Sequence, residues 1–473
     1  MNAQPHAHFI GLCGAGMSAV AKLLLDAGYT VSGSDEGCYP PISDVIARYG
    51  IECNTQYRAE NIPKNTDIII IGKHAKLVPE ENEEVAAAFA SGKEILSFPQ
   101  VLQRLTEKTE NYVVVGSYGK STTTALITWT LTHAGKNPSY FLGAAAKNFT
   151  DNGHLSTGNQ FALEGDEYPA ANWDTASKFM YYNAKYCLLT SGEHDHINVF
   201  PTIEDYLKPF QALVQTLPAD GLLAACRTGK NMEEVTSLST APLLWYAAQP
   251  VAGATWWAEN IERGSQLASF DLMHEGEKAC RIETIMLGLH NIENIVGAGA
   301  LLITTGAVTP EEFGAAMKTF SGVQRRLELL TKPGQVPIYS DFGSSRAKAL
   351  AGIQTIREQY PEHLLVVCFE PHTFSFRNRE ALEWYDDLFL KADMVYVFQP
   401  PTHGASTHEQ LTQDEIVNQI CASGIQAEGI SSADQLLKQA EWLKTYKQPF
   451  VVLFETSGGF DGAMPRMVEA LTA

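Results

Sequence analysis

The sequence predicts an α/β protein built from parallel sheets, and three observations support this fold class. Apolar runs typical of buried strands alternate with helical stretches along the 473 residues. Two such runs, at residues 9–10 and 113–115, lead directly into glycine-containing turns that open a helical segment. The length suffices for about three domains, each with its own core. Alternating strands and helices predict parallel sheets that bind ligands at the carboxyl ends of their strands.

The predicted elements follow from the hydrophobic pattern, with β-branched apolar runs as strands and longer mixed segments as helices. In chain order, the strands are predicted at residues 8–10, 30–34, 68–71, 113–115, 161–163, 186–190, 337–341, 364–368 and 450–454. The helices are predicted at residues 17–27, 103–111, 120–133 and 291–304.

The composition argues against several function classes. A net charge of −20 supplies no broad basic face, so neither a nucleic acid nor an anionic membrane is expected as a partner. No apolar run approaches the ~18 residues that a membrane span requires. Residues 1–8 are too short and too polar for a signal peptide. The eight cysteines include no C-x-x-C pair, which predicts reduced thiols in a cytoplasmic protein and no metal cluster.

A phosphate-binding loop is predicted at residues 116–122, directly after the valine strand. In such loops backbone N–H groups and a helix N-terminus face the anion, while a lysine reaches the terminal phosphates and a hydroxyl binds the metal. Lys120 and Ser121 are the candidates for the last two roles. Val114 stands where the full pattern has its first glycine, so an ordinary glycine turn with an exposed lysine is the alternative.

A second glycine turn follows the first predicted strand, at residues 11–18. Its glycines would let backbone approach a pyrophosphate at the next helix N-terminus. Asp35 ends the following strand, where dinucleotide-binding enzymes have an acid that binds a ribose. A nicotinamide-dependent dehydrogenase is therefore a competing interpretation of this segment, and a simple tight turn is the plainer one.

Acidic side chains follow two further strands of the central segment. Glu164, Asp166 and Glu167 come directly after the strand predicted at 161–163, and such carboxylates suit Mg²⁺. Asp195 and His196 come after the strand predicted at 186–190. Zinc is disfavoured here because no third nitrogen or sulfur ligand has a convincing spacing. A histidine assisting a magnesium site and a solvated surface turn both remain open.

The start of the helix predicted at 291–304 and the pair Arg325–Arg326 complete the candidates. Asn291 and Asn294 lie one helical turn apart and could bind a purine edge, although N-capping would explain one of them equally well. A guanidinium of the arginine pair could reach a transferring phosphoryl group, although most paired arginines are only surface charges.

The order of these motifs is specific. The glycine turn, G-S-x-G-K-S-T, E-x-D-E, D-H, H-N-x-x-N and R-R-x-E follow one another along the chain. In this order they resemble the Mur ligase superfamily, the ATP-dependent amide-forming enzymes of peptidoglycan synthesis, over essentially the whole chain. The resemblance implies a three-domain Mur ligase architecture. It consists of a Rossmann-like N-terminal domain at 1–106 for a UDP-sugar, a central P-loop ATPase domain at 107–320, and a Rossmann-like C-terminal domain at 321–473 for the incoming amine.

The resemblance also implies roles for individual residues. For the UDP-sugar they are Gly11, Gly14, Ala15, Gly16, Met17, Ser18 and Asp35. For ATP they are Gly116, Ser117, Tyr118, Gly119, Lys120, Ser121, Thr122, His290, Asn291, Asn294, Arg326 and Asp341. The metal ligands would be Ser121, Glu164 and His196, and the catalytic residues Lys120, Glu164, His196 and Arg326.

The chain departs from the family pattern on the acceptor side. Relatives carry a His-His-Pro element that begins three residues after the acid that corresponds to Asp341, whereas this chain has Ser344-Ser345-Arg346. Relatives also carry an asparagine where this chain has Ser191. The residues implied to bind the incoming amine are Ser344, Ser345, His372 and Arg377, the last as a partner for a peptide carboxylate.

Within the family, residues 39–43 and 457–462 are most similar to the enzymes that join UDP-N-acetylmuramate to L-alanyl-γ-D-glutamyl-meso-diaminopimelate during peptidoglycan recycling. The implied cofactors are ATP and Mg²⁺, and the implied partners are these two small substrates, bound by a monomer or weak homo-oligomer. UDP-N-acetylmuramate–L-alanine ligase is the nearest alternative. A non-catalytic UDP-sugar-binding protein and an NAD-dependent oxidoreductase are more distant ones.

Overall fold

The computed structural model describes residues 4–197, 199–264, 267–332, 334–401 and 409–472. The chain divides into two compact units. The first consists mainly of residues up to Ser321. The second consists mainly of residues from Gly322 onward and also includes the segment Ile285–Ile292. The first unit contains two main sheets and the second unit contains one. The domain boundaries expected near residues 106 and 320 stay predictions.

The N-terminal sheet has five parallel strands in the order β3-β2-β1-β4-β5. Its strands are β1 (His6–Ile10), β2 (Thr30–Ser34), β3 (Glu52–Asn54), β4 (Ile68–Ile71) and β5 (Glu94–Leu96). Its helices are α1 (Ala15–Asp26), α2 (Ile42–Arg48), α3 (Glu83–Ala90) and α4 (Phe98–Leu105). The order places β1 between β2 and β4, so the turn after β1 lies at the middle of the sheet's carboxyl edge.

The central sheet has ten strands in the order β17-β16-β15-β14-β13-β12-β6-β9-β7-β8. Its strands are β6 (Glu110–Val115), β7 (Ser139–Phe141), β8 (Gly153–His154), β9 (Gln160–Glu164), β12 (Tyr186–Leu189), β13 (Leu222–Cys226), β14 (Leu243–Tyr246), β15 (Trp256–Arg263), β16 (Ala268–His274) and β17 (Glu277–Thr284). A separate antiparallel pair is formed by β10 (Pro169–Ala171) and β11 (Asp174–Ser177). The helices are α5 (Lys120–His133), α6 (Ile203–Thr216), α7 (Met232–Thr236), α8 (Leu289–Thr304) and α9 (Pro310–Met317).

The C-terminal sheet has six strands in the order β18-β19-β23-β20-β21-β22, and β18 alone of them pairs antiparallel. Its strands are β18 (Glu328–Leu329), β19 (Ile338–Asp341), β20 (Leu364–Phe369), β21 (Met394–Phe398), β22 (Gln426–Ile430) and β23 (Phe450–Glu455). Its helices are α10 (Arg346–Gln359), α11 (Phe374–Arg377), α12 (Gln413–Ala422), α13 (Ala433–Leu443) and α14 (Ala463–Thr472). Short 3₁₀ turns lie at Ala59–Asn61, Lys178–Tyr181, Arg379–Asp386 and Phe460–Gly462.

Burial explains why these strands read as continuous apolar runs. Alternate residues of β20 and β23 belong to two different core clusters, which shows that both faces of the C-terminal sheet are covered. In the first unit, apolar residues of the N-terminal and central sheets form one continuous cluster. Among the helices of the described residues, none combines the length and apolar character that crossing a bilayer requires.

One predicted element is wrong. The helix expected at 103–111 instead ends at Leu105, and β6 begins at Glu110. The helix starts earlier because Ser97 and Gln100 form a capping box, with Pro99 in the first turn. The Glu110 N–H already donates to the Asn159 carbonyl oxygen, which marks the start of the strand.

Candidate active site

The loop between β6 and α5 has the conformation that an anion-binding turn needs. Gly116 and Gly119 have φ values of 129° and 76°, where residues with a side chain are strained. A Cβ at Gly119 would lie 2.4 Å from Asn294 Oδ1, and one at Gly116 would lie 2.8 Å from the Ser191 backbone nitrogen. The backbone therefore requires glycine at both positions. Lys120 follows at once as the first residue of α5.

Lys120 is held by a buried acid. Its Nζ lies 3.0 Å from Glu167 Oε2 and also donates to the Gly116 carbonyl oxygen. Its side chain is 15% exposed, whereas that of Glu167 is 1% exposed. The ammonium is therefore fixed between the Gly116 carbonyl oxygen of the loop and the Glu167 carboxylate.

The two charges of this pair support each other. Burial opposes the charged form of Lys120, but attraction from Glu167, Asp166 and Glu164 outweighs it and raises the pKa of the ammonium. Burial also opposes the charged form of Glu167, but Lys120 and His196 lower the pKa of its carboxyl below the usual range. The site at neutral pH therefore contains an ammonium and a carboxylate rather than two neutral groups.

His196 lies on the other side of Glu167. Its Nε2 is 3.2 Å from Glu167 Oε1, and its Nδ1 is 3.0 Å from the Tyr168 hydroxyl. Because a carboxylate only accepts hydrogen bonds, the neutral ring carries its proton on Nε2 and accepts from Tyr168 on Nδ1. His196 has a φ of 56°, which is rare for a residue with a side chain. Such backbone strain is typical of functional sites.

The expected metal ligands are only partly brought together. Ser121 Oγ donates to Glu164 Oε1 at 2.8 Å, and the Gly143 N–H donates to Glu164 Oε2 at 2.7 Å. A hydroxyl and a carboxylate beside a phosphate loop form the oxygen-donor set that Mg²⁺ prefers, so these two residues fit the ion. His196 instead contacts Glu167 and Tyr168, and its expected role as a ligand stays a prediction.

Two polar residues were missed as site residues by the sequence analysis. Glu167 was noted as one of three clustered acids, but its pairing with Lys120 was not predicted. Tyr206, on α6, donates from its hydroxyl to Ser117 Oγ at 3.0 Å and lies 3.4 Å from Glu167 Oε1. Tyr206 lies 39 residues beyond Glu167 in the chain, so no local sequence motif links the two residues.

The residues expected to bind adenine separate between the two units. Asn294 belongs to the first unit and accepts from Thr123 Oγ1 at 3.2 Å beside Gly119. His290 and Asn291 belong to the second unit. Asn291 Nδ2 donates to the Leu287 carbonyl oxygen at 2.7 Å. Burial lowers the pKa of His290, with Asp341 opposing that shift, so the imidazole is neutral at neutral pH.

Arg326 lies in a turn that Asp341 holds. Asp341 Oδ1 accepts from the Leu327 N–H at 2.9 Å, and the Arg326 guanidinium stacks 4.9 Å from the centre of the Phe342 ring. Arg325 instead donates to the carbonyl oxygens of Thr456 and Gly458, at 2.7 Å each. Arg325 also lies over the Phe342 ring, 5.3 Å from its centre, so its bonds to the two carbonyl oxygens are what distinguish it from Arg326.

The first glycine turn lies between β1 and α1, and Asp35 organises it. Asp35 accepts from the Cys13 N–H and from the Gly37 N–H at 2.8 Å each. Gly14 caps the exposed N-terminus of α1, and the Ser18 hydroxyl donates back to the helix at Ala15. The expected contacts with a UDP-sugar stay predictions for the residues of this turn, namely Gly11, Gly14, Ala15, Gly16, Met17, Ser18 and Asp35.

The expectation of eight reduced cysteines is wrong. Cys13 and Cys38 form a disulfide that links the turn after β1 to the segment after β2. The two residues are 25 positions apart, and the adjacency of β1 and β2 brings them together. Cys53 is a free thiol nearby, and its Sγ lies 3.9 Å from that of Cys13.

The residues expected on the acceptor side lie at the carboxyl edge of the C-terminal sheet. Ser344 accepts from Lys348 Nζ at its hydroxyl and from Thr373 Oγ1 at its carbonyl oxygen. Ser345 precedes α10 as its N-cap, without a side-chain bond to the helix. His372 Nδ1 lies 3.3 Å from Ser457 Oγ. Lys348, an ammonium beside the two serines, was not predicted.

Arg377, the expected partner for a peptide carboxylate, is buried. The residue is 5% exposed, and its Nη1 donates to the Pro401 carbonyl oxygen at 2.7 Å. Desolvation lowers the pKa of its guanidinium. Its role in binding a peptide carboxylate stays a prediction.

Two segments of the chain match domains of one protein family. Residues 6–109 match the domain described as Mur ligase family, catalytic domain, and residues 114–302 match the Mur ligase middle domain. The chain belongs to the Mur ligase family. Its architecture is the three-domain Mur ligase fold, and the enzyme class is an ATP-dependent, ADP-forming ligase. The hypotheses of a nicotinamide oxidoreductase and of a non-catalytic binding protein are therefore set aside.

Individual relatives match nearly the full length. A UDP-N-acetylmuramate–L-alanyl-γ-D-glutamyl-meso-2,6-diaminoheptandioate ligase of Haemophilus influenzae is 28% identical over 84% of this chain and 86% of its own. The Escherichia coli enzyme of that name is 26% identical over 98% of both chains. A UDP-N-acetylmuramate–L-alanine ligase of Desulfosudis oleivorans is 26% identical over 96% of this chain and 95% of its own. The structure of a murein peptide ligase from Psychrobacter arcticus covers 99% of both chains with a TM-score of 0.70, and at 22% identity it shows the fold alone.

Proposed function

We propose that this Mur ligase joins UDP-N-acetylmuramate to the tripeptide L-alanyl-γ-D-glutamyl-meso-diaminopimelate, with ATP cleaved to ADP and phosphate. The observation that carries the proposal is the phosphate loop with its charged pair, Lys120 and Glu167, beside the oxygen donors Ser121 and Glu164. Support for the substrates comes from the relatives that carry this activity in their names and align over most of the chain.

The reaction needs a carboxylate to become an electrophile. ATP phosphorylates the lactoyl carboxylate of the muramyl sugar, the peptide amine attacks the acyl phosphate, and phosphate leaves from a tetrahedral intermediate. The first step brings two anions together. Lys120 and the N-terminus of α5 offset that repulsion and stabilise charge that develops on the transferred phosphoryl group.

Glu167 prepares Lys120 for this role. In the structure the carboxylate fixes the ammonium by a 3.0 Å contact, so the side chain is ordered before nucleotide binds. Phosphate oxygens arriving at the loop compete for the same ammonium, and Glu167 retains His196 as a second partner. We therefore assign Glu167 as a positioning residue and Lys120 as the residue that contacts the phosphates.

Ser121 and Glu164 are the residues that would hold Mg²⁺. When bound, the ion neutralises phosphate charge and acts as a Lewis acid toward the transferred group. Ser121 and Glu164 are already joined at 2.8 Å, and the Gly143 N–H fixes the second oxygen of Glu164. The protein therefore orients a carboxylate and a hydroxyl toward the loop before the ion arrives.

Two further assignments concern residues of the second unit. Arg326, held by Phe342 and by the Asp341-capped turn, is assigned to the transferred phosphate. The amine is assigned to the carboxyl edge of the C-terminal sheet, around Ser344 and Ser345. Two hydroxyls in place of two imidazoles enlarge this region. A tripeptide with distal carboxylates, for which Lys348 is a nearby cation, suits it better than free L-alanine does.

The test is phosphate release from ATP in the presence of Mg²⁺ and UDP-N-acetylmuramate, with the tripeptide or L-alanine as acceptor. We expect kcat/KM for the tripeptide to be at least ~10-fold higher, a difference of ~1.4 kcal/mol in transition-state binding. Mass spectrometry of the product identifies the new amide.

L-alanine ligation is the second candidate, because relatives with that activity in their names match the chain almost as well. Equal or better use of L-alanine would favour this candidate and retain the family chemistry. If neither the tripeptide nor L-alanine stimulates phosphate release, both substrate assignments are contradicted.

A further inference from the structure

Three sulfur atoms meet beside the first glycine turn, outside the phosphate-loop site. The Sγ atoms of Cys13, Cys38 and Cys53 all lie within 4.8 Å of one another, and all three residues are partly exposed. Cys13 belongs to the turn after β1, Cys38 follows β2, and Cys53 lies in β3. They therefore converge on the carboxyl edge of the sheet, where parallel α/β domains bind their ligands.

We propose that Cys13 and Cys38 are a reversible redox site, and that their disulfide closes the cleft in which the N-terminal domain binds its sugar nucleotide. The reagents of this site are low-molecular-weight disulfides and thiols of the glutathione type. The inference rests on the proposed function and on the family resemblance, which predicts that the sugar nucleotide binds at this turn.

The spacing of the two backbone segments supports closure. The disulfide holds the Cα atoms of Cys13 and Cys38 5.3 Å apart. A ribose or base between two segments needs van der Waals contact on both sides, which places their backbones at least roughly 7 Å apart. Asp35 contributes to the same closure, because its carboxylate bonds the Cys13 N–H on one segment and the Gly37 N–H on the other. The Cα spacing in the oxidised state is thus shorter than a ligand between these segments would require.

The chemistry balances with a disulfide RSSR as the oxidant. A thiolate of the pair attacks RSSR, which forms a mixed disulfide and releases one RSH. The second protein thiolate then attacks the mixed disulfide at the protein sulfur, closes the Cys13–Cys38 bond and releases the second RSH. Two electrons and two protons pass from the protein to RSSR, and excess RSH reverses both steps.

Cys53 adds an internal exchange. Its thiolate can attack Cys13 Sγ, 3.9 Å away, to form a Cys13–Cys53 bond while Cys38 leaves as a thiolate, with no net oxidation. Burial and the nearby carboxylates of Asp35 and Glu84 raise the pKa of Cys53 to about 11, so little thiolate is present at neutral pH. This exchange is therefore slow at neutral pH and becomes faster as the pH rises.

The first experiment maps the bond in the full-length protein without any mutation. The protein is equilibrated with oxidised and reduced glutathione at set ratios, trapped with an alkylating agent and digested for mass spectrometry. We expect Cys13–Cys38 to be the main disulfide, fully reversible with excess reduced glutathione. Its absence at high oxidised glutathione would overturn the proposal, and so would zinc that remains bound to the reduced cysteines after dialysis.

The second experiment measures UDP-N-acetylmuramate binding to the oxidised and reduced protein by calorimetry. We expect Kd to be at least ~10-fold higher in the oxidised state, as for a ligand that selects the open state. Because Cys53 could replace Cys38 as the partner of Cys13, the double variant Cys38→Ser/Cys53→Ser is used, and it should bind equally in both conditions, with the affinity of the reduced wild type. Cys421→Ser, which removes an exposed thiol elsewhere, is the matched control and should keep the difference.

The outcomes separate this inference from the function on which it rests. Equal Kd values in the two states, with the disulfide confirmed by mapping, would overturn the inference alone. No binding by the reduced wild type or by the double variant would contradict the sugar-nucleotide assignment itself.

Discussion

Two buried glutamates, one in each unit, differ in charge: Glu167 is ionised and Glu455 is neutral, and their surroundings explain the difference. Glu167 is 1% exposed and contacts Lys120 and His196, and the Lys120 ammonium and the hydrogen bond with His196 lower the pKa of its carboxyl despite burial. Glu455 is fully buried and has no hydrogen-bond partner among the residues that the structure describes. Burial and the neighbouring Asp341 raise its pKa well above the usual range.

Partners, rather than burial, thus decide the charge of each acid. Both acids lie next to the carboxyl ends of parallel strands, and Glu455 is the cross-strand neighbour of Asp341 in the register of β19 and β23. Gly343 and Gly352 provide its space, since a Cβ at either would lie within 2.4 Å of a Glu455 oxygen. An ionised Glu167 suits a site that orders a cation, whereas a neutral Glu455 adds no charge beside Asp341.

The strongest test of this comparison removes the cation. Lys120→Ala should lower kcat by ~10²-fold or more, the scale of losing one preorganised charge donor at a reacting group. It also removes the main charge that keeps Glu167 ionised. Steady-state phosphate release measures the effect, and Lys208→Ala, which removes an exposed lysine paired with Asp205, serves as the control. Near-normal turnover would show that the loop does not bind the transferred phosphates.

The next test removes the charge of the acid and keeps its shape. Glu167→Gln should lower kcat by roughly 10- to 100-fold, as for other outer residues that orient a catalytic group. Asp166→Asn is the neighbouring control, since Asp166 is 40% exposed and pairs with Lys178 outside this contact. The comparison would fail if the Glu167 and Asp166 variants had equal kcat values.

Acid unfolding gives a second measure of Glu167. Because its folded pKa is depressed, its contribution to stability is present above the unfolded pKa of ~4.3 and is lost as the pH falls through the folded value. The free energy of unfolding should therefore decline less steeply below pH ~4.3 in Glu167→Gln than in the wild type. Urea titrations at several pH values measure this slope, and an unchanged slope would argue against an ionised Glu167.

The contribution of Glu455 to the free energy of unfolding should depend on pH in the opposite direction. Its folded pKa is raised, so its contribution is fully present below ~4.3 and is lost as the pH rises toward the folded value. In this window one proton changes the free energy of unfolding by about 1.4 kcal/mol per pH unit at most. Glu455→Gln should therefore gain stability over the wild type as the pH rises from 5 to 8.

A neighbouring acid serves as the control for Glu455. Glu370→Gln changes a buried acid whose carboxylate already accepts from the Thr456 hydroxyl and the Phe460 N–H. The glutamine keeps an amide oxygen that can accept both hydrogen bonds, so the stability of this variant should stay close to that of the wild type. A pH-independent difference for Glu455→Gln would show that Glu455 is not neutral in the folded protein.

The sequence predicted regular elements better than it predicted these pairings. Helix α5 runs from Lys120 to His133 as expected, because a glycine turn fixes its start and the valine strand precedes it. The three acids at 164–167 looked equivalent in the sequence. Only the packing of α6 and the loop buries Glu167 and leaves Asp166 partly exposed. The Cys13–Cys38 pairing was missed for a similar reason, since it depends on β1 and β2 being neighbours.

The smallest expected effect concerns the hydroxyl behind Glu167. Tyr206 donates to Ser117 Oγ and lies 3.4 Å from Glu167 Oε1, while its ring packs edge-on against Phe200 and Phe210. Tyr206→Phe keeps this packing and removes one hydrogen bond, so unfolding in urea should show a loss of about 1 kcal/mol. Tyr182→Phe is the matched control, because the Tyr182 hydroxyl is buried without a hydrogen-bond partner among the described residues. Its removal should be neutral or stabilising. Equal losses for the two variants would show that the Tyr206 hydroxyl contributes nothing specific to the surroundings that keep Glu167 charged.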